Sequence, residues 1–327
     1  MKIAFFETDA HEKTILERGL KGHTLLFFNR PLTAKDLSKI KDVDILSIAI
    51  YSKIDKTIIT KLPNLKYLST RSTGFDHIDL EACKQHQVAV SNVPYYGANT
   101  VAEHAFALLL SLSRKITYAH DRVRKKNFSI QGLKGFDLKG KTLGVIGAGN
   151  IGINTIKIAK GFGMSVVSCE RHPDPARAKE IGFVCMPLPE ILKRADIISL
   201  HIPYTKETHH MIGKKEFALM KKGSLLINTS RGGIIDTKAL WATLQSGKLG
   251  GVGLDVIEGE ELLKGHPRLH NHHTKTLVNT AHKVITHPSV IYTPHIAYYT
   301  QEALDRISQT TVKNIQSFLK KKPENLL

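Results

Sequence analysis

Three residues in the second half of this chain have the types and spacing for chemistry: Arg231 in NTSRGG, Glu260 in DVIEGEELL and His295 in TPHIAYYT. Each follows a short apolar run that reads as a buried strand. Each is therefore expected at a strand's C-terminal end, where open α/β sheets bind their ligands. An arginine can grip a carboxylate through two parallel N–H bonds and polarise a carbonyl beside it. A histidine exchanges protons near neutral pH, and a neighbouring acid can hold the ring and stabilise its charged form. Together they suit a 2-oxo acid. Taken singly, they also fit a surface ion pair, a solvated acid and a strand-end histidine, and Glu258 and Glu261 compete with Glu260 for the acid's place.

The elements that must position these residues start from residues 142–171, TLGVIGAGNIGINTIKIAKGFGMSVVSCER. An apolar run at 143–146 leads into Gly147, Gly149 and Gly152, the G-x-G-x-x-G spacing that passes a tight turn beneath a pyrophosphate. Gly147 permits the turn, Gly149 removes a side chain where phosphates approach, and Gly152 lets the following helix lie close to the strand. That helix opens at Asn150 and Ile151. Its free N–H groups and positive end, about half an elementary charge, face the anion. A second strand at 164–169 closes the βαβ unit, and Glu170 stands at its end, 18 residues past Gly152. A carboxylate there accepts from both ribose hydroxyls and repels a 2′-phosphate, which favours NAD, although the adjacent Arg171 could receive that phosphate.

Ahead of this unit, apolar runs at 3–6, 24–28, 45–50, 67–70 and 88–90 alternate with helical stretches at 12–18, 34–40 and 80–86. Five short strands separated by helices imply a parallel sheet covered on both faces. At Asn99 and Thr100 the character changes. VAEHAFALLLSLSRKI is apolar on nearly every face, so it reads as a buried helix and hinge, with Thr100 and Glu103 as its capping pair. Strands are expected again at 197–202, 225–228, 251–255 and 291–293. The final stretch has one apolar helical face (Leu304, Ile307, Thr311, Ile315, Phe318) that should pack back on the first sheet. The expected architecture is α/β with two doubly wound parallel-sheet domains. Residues 100–299 make a Rossmann coenzyme domain, and residues 1–99 with 300–327 make a discontinuous, flavodoxin-like substrate domain. Residues 265–287, with His266, His270, His272, His273, His282 and His287, read as a solvated insertion loop rather than a metal site.

The 327 residues exceed one ordinary core, and 42% apolar residues suffice for globular folding. The run at 105–110 is far short of a bilayer span, and Met1 leads straight into the strand-like KIAFFE, so a cytoplasmic protein without membrane contact is expected. Cys83, Cys169 and Cys185 show neither metal nor disulfide spacing. The formal charge of +18 is scattered without interleaved aromatics, which argues for a solvated surface rather than nucleic-acid binding.

GAGNIG, HIPYTKETHHMI, INTSRGGIID, GLDVIEGE and TPHIAYYT occur in the order seen in the D-isomer-specific 2-hydroxyacid dehydrogenases, and this chain resembles that family over nearly its whole length. RSTGFDHIDL and NVPYYGANTVAEH resemble the family's substrate domain and hinge. The absence of proline after Glu260, the long insertion before His295 and PHIAYYT are most similar to the D-lactate dehydrogenase subgroup. The resemblance implies NADH-dependent reduction of pyruvate or a close 2-oxo acid. It makes Arg231 the carboxylate and carbonyl binder, His295 the acid/base and Glu260 its partner. It also implies that backbone N–H groups of Thr73 and Gly74 hold the substrate carboxylate, with Tyr96 and Tyr298 bordering the side-chain pocket, whose width depends on Phe5 as well. Ile202 and Pro203 resemble the adenine-side wall, Thr208 lies near the phosphates and ribose, Thr229 and Ser230 line the nicotinamide ribose, and Asp255 accepts from the carboxamide. A homodimer joined through the coenzyme domains is implied too. Alternatives are a bulkier 2-oxo acid, hydroxypyruvate or glyoxylate as substrate, and an NAD-sensing scaffold like the corepressors of this fold.

Overall fold

Short apolar runs with buried side chains on both faces form strands only where helices cover the sheet twice. In a computed structural model, which describes residues 1–263 and 272–327, the early runs become β1 (Lys2–Phe6), β2 (Thr24–Phe28), β3 (Ile45–Ile48), β4 (Tyr67–Thr70) and β5 (Ala89–Ser91). They are parallel, in the order β2-β1-β3-β4-β5. Helices α1 (Ala10–Gly19), α2 (Lys56–Thr60) and α3 (Leu80–Gln85) connect them. α1 begins with a reciprocal cap: the Glu12 N–H donates to the Asp9 carboxylate, and the Asp9 N–H donates to the Glu12 carboxylate. The helix expected at 34–40 shrinks to a 3-10 turn, Ala34–Asp36. Its cause is the buried Asp36 carboxylate, which takes the Thr33 N–H and hydroxyl and the Arg30 guanidinium and so favours a turn over a longer helix.

The second sheet has seven strands: β6 (Thr142–Ile146), β7 (Ser165–Cys169), β8 (Val184–Cys185), β9 (Ile197–Leu200), β10 (Leu225–Asn228), β11 (Gly251–Leu254) and β12 (Val290–Tyr292). All pair in parallel, in the order β12-β11-β10-β9-β6-β7-β8. The chain therefore travels outward from β6 in one direction and outward from β9 in the other. The carboxyl ends of these two neighbours form the switch-point crevice of a doubly wound sheet.

Its helices are α4 (Ala98–Ser113), α5 (Ile116–Arg124), α6 (Asn150–Gly161), α7 (Pro175–Ile181), α8 (Leu188–Arg194), α9 (Lys214–Leu219), α10 (Thr237–Gln245), α11 (Glu260–Leu263) and α12 (His272–Ile285). α4 starts two residues before the expected cap. Thr100 is buried inside it, and Glu103 accepts from the Asn99 amide one turn earlier instead of closing the helix end. The helix lies directly on β11, where a Cβ at Gly253 would come 3.0 Å from the Leu108 Cβ. The solvated loop expected over 265–287 is corrected from residue 272 onward by α12. Its apolar positions Leu277, Val278, Ala281, Val284 and Ile285 recur at helical spacing within a His-, Lys- and Thr-rich background that hides them. Ala281 and Val284 are fully buried, and the helix packs on α10. His282 is exposed, and His287 packs edge-on against Trp241 with ring centroids 6.0 Å apart. His266 and His270 lie outside the described residues.

The last helix, α13 (Gln301–Leu319), opens at Thr300, whose side chain accepts from the Ala303 N–H. It packs on α1 and β4. The Phe318 ring stacks on Tyr67 at 4.3 Å, and Ile315 is fully buried with Ile3, Phe5, Leu16 and Tyr67. Phe5 is itself fully buried and stacked on Phe27, so it is a core residue rather than a pocket residue. The chain thus divides into two compact units, Met1–Tyr96 with Tyr299–Leu327, and Gly97–Tyr298. Among the described residues no helix is long and apolar enough to cross a membrane.

If α13 completes the first core, Ile315→Ala should lower that unit's stability by about 2–5 kcal/mol. The urea midpoint measures this, and an unchanged midpoint would show that the helix is dispensable to that core.

Candidate active site

The glycine turn after β6 is built by close approach. Gly147 adopts φ +96°, a left-handed conformation, and a Cβ there would meet the His201 carbonyl and Ile202 Cγ2 at 2.6 Å. A Cβ at Gly152 would come 2.0 Å from the Gly147 carbonyl oxygen, so the first turn of α6 can press on the strand only with glycine. At Gly149, by contrast, a Cβ would meet nothing within 4 Å. The turn therefore opens onto unfilled space beside the start of α6 at Asn150 and Ile151, which is what a coenzyme pyrophosphate requires. Ile202, following β9, packs over this turn, with Pro203 exposed beyond it. Thr208 folds its own loop, its hydroxyl donating to the Pro203 carbonyl at 2.8 Å while accepting the Thr205 N–H. Glu170 ends β7 nearly buried, paired with Arg177 of α7 at 2.5 Å.

Asp255, Glu260 and His295 follow β11 and β12. Asp255 is fully buried. It accepts from the Thr293 hydroxyl at 2.6 Å, from the Ile296 N–H at 2.9 Å and from the Ala297 N–H at 2.8 Å. Burial alone would push this carboxyl up, but the hydrogen bonds from His104, Thr293 and the two N–H groups outweigh it and hold it below the usual range. The Asp255 carbonyl takes the N–H of His295, which sits at φ +61°. A non-glycine residue there costs roughly 1–3 kcal/mol and persists only when its surroundings over-determine it. Held this way, His295 places Nδ1 2.6 Å from Glu260 Oε1, with both side chains largely buried. Nδ1 thus belongs to Glu260, and Nε2 is the nitrogen suited to proton exchange with a ligand. Tyr298 meets the His295 ring edge-on at 6.3 Å. Gly259, at φ +77°, makes the turn into Glu260 and rests on Leu277 of α12, where a Cβ would stand 3.0 Å from Leu277 Cδ2.

Arg231 follows β10, next to β11 in the sheet, at the head of the 3-10 turn Gly232–Ile234. Its carbonyl takes the Asn228 amide at 3.0 Å, and Nη1 donates to the Ser230 carbonyl at 2.9 Å. Ser230 ties β10 to β9 through the Leu200 carbonyl, and Thr229 is buried with its hydroxyl unpartnered. A Cβ at Gly232 would run into the Ile257 backbone at 2.0 Å, so the Arg231 loop lies directly on the segment leading to Glu260. The second unit thus gathers Gly147, Glu170, Ile202, Arg231, Glu260 and His295 at the carboxyl ends of adjacent strands. Asp255 is enclosed, with its oxygens turned to the His295 loop and α4, so it anchors that loop.

In the first unit, the turn after β4 has its carbonyls engaged. Ser72 accepts the Val93 N–H, Thr73 accepts the Asn92 amide, and Gly74 accepts the Ser72 hydroxyl. Among the described residues the N–H groups of Thr73 and Gly74 meet no acceptor. Donors without acceptors on a partly exposed turn suit an anion. The Tyr96 carbonyl is held by Arg306 of α13 at 2.6 Å.

The residues that the sequence did not single out are those that brace others. His104 of α4 lies 2.9 Å from the Thr293 hydroxyl; since that hydroxyl donates to Asp255, the imidazole Nε2 is the donor. A ring nitrogen on an otherwise apolar helix was the available signal. His210, at φ +52°, donates its N–H to the Gly233 carbonyl and pairs its ring with Glu258 at 2.8 Å, so it links the Arg231 and Glu260 loops. Among the described residues no three His, Cys, Asp or Glu side chains converge as a metal site.

This sheet, its switch-point glycine turn and its strand-end groups define a dinucleotide-binding α/β protein. The chain belongs to the D-isomer specific 2-hydroxyacid dehydrogenase family, whose NAD binding domain matches residues 106–297. It is 36% identical to the D-lactate dehydrogenase of Escherichia coli over 328 residues, covering 98% of this chain and 97% of that one. It is 39% identical to an aromatic 2-oxoacid reductase of Clostridium sporogenes over 282 residues, 85% of this chain and 83% of the other. The crystal structure of D-lactate dehydrogenase from Aquifex aeolicus, complexed with NAD and lactic acid, superimposes with a TM-score of 0.89 at 38% identity, over 98% of this chain and 96% of that one.

Behind the glycine turn, His201 contacts the Ser199 and Thr155 hydroxyls, and its Nδ1 is buried without a partner. Burial pushes the ring down to about 3, so it stays neutral in the fold while the unfolded chain protonates below about 6.5. The unfolded state then binds one more proton between those values. Stability should fall with pH across that window by up to about 1.4 kcal/mol per unit from this group, and His201→Asn should flatten the dependence. Thermal midpoints of both proteins from pH 7 to 4 measure it; parallel curves would contradict it.

Proposed function

We propose that this chain reduces a small 2-oxo acid, pyruvate or a close relative, to the D-2-hydroxy acid, and catalyses the reverse reaction as well. The observation that carries the reading is the Glu260–His295 pair at 2.6 Å, held at a strand end beside the Arg231 loop. When bound, the nicotinamide supplies the hydride to the carbonyl carbon or takes it back. Protonated His295 gives its Nε2 proton to the carbonyl oxygen as the hydride arrives, and Glu260 stabilises the imidazolium through Nδ1. In reverse, neutral His295 accepts the hydroxyl proton. Arg231 of the second unit grips the substrate carboxylate and polarises the carbonyl; in the first unit, the N–H groups of Thr73 and Gly74 are the substrate-binding donors. In this reading the first unit is the substrate domain, with Tyr96 as a substrate-binding residue there, and Tyr298 is a substrate-binding residue of the second unit. Gly147, Gly149, Asn150, Ile151 and Gly152 cradle the pyrophosphate, and Glu170 takes the adenosine ribose. Ile202 and Pro203 wall the adenine side, with Thr208 near the phosphates, and Thr229 and Ser230 line the nicotinamide ribose.

Two observations bear on alternatives. The likeness to an aromatic 2-oxoacid reductase supports a bulkier substrate on the same machinery. The paired histidine and acid weigh against a scaffold that binds coenzyme without turnover. A second copy of the chain as partner is supported by α5 and the segment after it, which expose Ile116, Val123, Phe128, Ile130 and Phe136 together in sequence.

His295→Ala should lower turnover about 10²- to 10⁴-fold while still binding NADH. Oxidation of NADH with pyruvate, phenylpyruvate, 2-oxoisocaproate, hydroxypyruvate and glyoxylate side by side tests the substrate. Preference for pyruvate supports the proposal, preference for a bulky acid moves it to the alternative, and undiminished turnover in the variant would contradict the role of His295.

A further inference from the structure

We infer that this chain binds the 2′-phosphorylated coenzyme NADPH as well as NADH, and that Arg177 decides between them. The inference rests on reading the end of β7 as the adenosine-ribose end of the crevice. A site closed to the phosphorylated coenzyme presents a bare carboxylate there, which accepts from both ribose hydroxyls and repels a 2′-phosphate. Glu170 is not bare. Its Oε2 takes an Nη2–H bond from Arg177 at 2.5 Å, the Cys185 thiol donates toward Oε1 at 3.7 Å, and the side chain is only 7% exposed.

The guanidinium has capacity beyond that pair. Arg177 Nε is buried and has no hydrogen-bond partner among the described residues, an unsatisfied donor in a position where such groups are rare. The side chain as a whole is 36% exposed, so a ligand can reach the guanidinium. Arg171, the next residue along from Glu170, is exposed and adds a second positive charge. It faces the loop after β9: the Glu207 carboxyl is held below its usual range first by the Thr205 hydroxyl and, more weakly, by Arg171. Asp174 is engaged in capping α7, where its carboxylate accepts the Arg177 N–H.

Glu170 and Arg177 neutralise each other as a pair, and Arg171 adds a second guanidinium at the end of β7. A planar guanidinium fork matches phosphate oxygens in geometry and charge. On binding NADPH, the 2′-phosphate takes the place of Glu170 as acceptor for Arg177. On binding NADH, Arg177 stays on Glu170 and orients it toward the ribose. One hinged ion pair thereby serves both coenzymes.

The test is a fluorescence titration of the full chain with NADH and with NADPH in the absence of any oxo acid. Both should bind. Arg177→Ala should worsen the NADPH constant relative to the NADH constant about tenfold or more, the effect of losing one charge-assisted hydrogen bond, and Arg177→Lys should restore part of it. Glu170→Gln should move the ratio the other way. A thermal midpoint close to the parent's shows that each variant has folded. Binding of NADH alone by the parent overturns the inference and leaves the coenzyme reading intact, whereas binding of neither overturns both. An unchanged ratio in Arg177→Ala removes Arg177 as the deciding residue.

Discussion

The buried carboxylate of Asp255 is the constraint on which the rest of the site depends. A carboxylate removed from water is tolerated only when its oxygens are filled with donors, and here the donors come from two directions. Thr293 and the N–H groups of Ile296 and Ala297 belong to the segment that carries His295, and His104 belongs to the central helix α4. The same charge therefore satisfies itself and pins His295 in a left-handed backbone conformation that it would not adopt alone. Strain at His295 is offset by hydrogen bonds at Asp255, and the result is an imidazole whose Nδ1 is already committed to Glu260 before any ligand arrives.

The coenzyme side obeys a different constraint, closeness of backbone to backbone. The contacts at Gly147, Gly152 and Gly232 leave no room for a single carbon atom. These three positions bring the turn after β6, the start of α6 and the Arg231 loop into one layer at the carboxyl edge of the sheet. The unfilled space at Gly149 then reads as room for a ligand rather than as loose packing.

Much of this was legible in the sequence because local spacing encodes it. The G-x-G-x-x-G turn, the strand-end placement of Arg231, Glu260 and His295, and the apolar face that returns α13 to the first sheet all depend on neighbours a few residues apart. What was not legible depends on partners distant in the chain. His104 and Thr293 are 189 residues apart, and nothing near either predicts their contact. The burial of Asp255 is set by residues 293–297 and by α4 rather than by its own strand, so its donors were not legible locally. The Thr100–Glu103 spacing imitated a helix start inside a helix that begins at Ala98. The α12 helix was hidden because its five apolar positions are outnumbered by polar ones. At 34–36 the reverse held: a helical-looking stretch collapses into a turn because Asp36 has nearer donors in Thr33 and Arg30.

The most direct measurement is turnover by Asp255→Asn alongside its NADH affinity and thermal midpoint. An amide keeps the shape but removes the charge and turns one acceptor into a donor facing the His295 loop. The account predicts that the variant folds and binds NADH while turnover falls by about 100-fold or more, as misplacement of a catalytic group by an ångström produces. Turnover within a factor of about two of the parent, a loss too small for a displaced proton donor, would contradict the claim that this buried charge holds the site together.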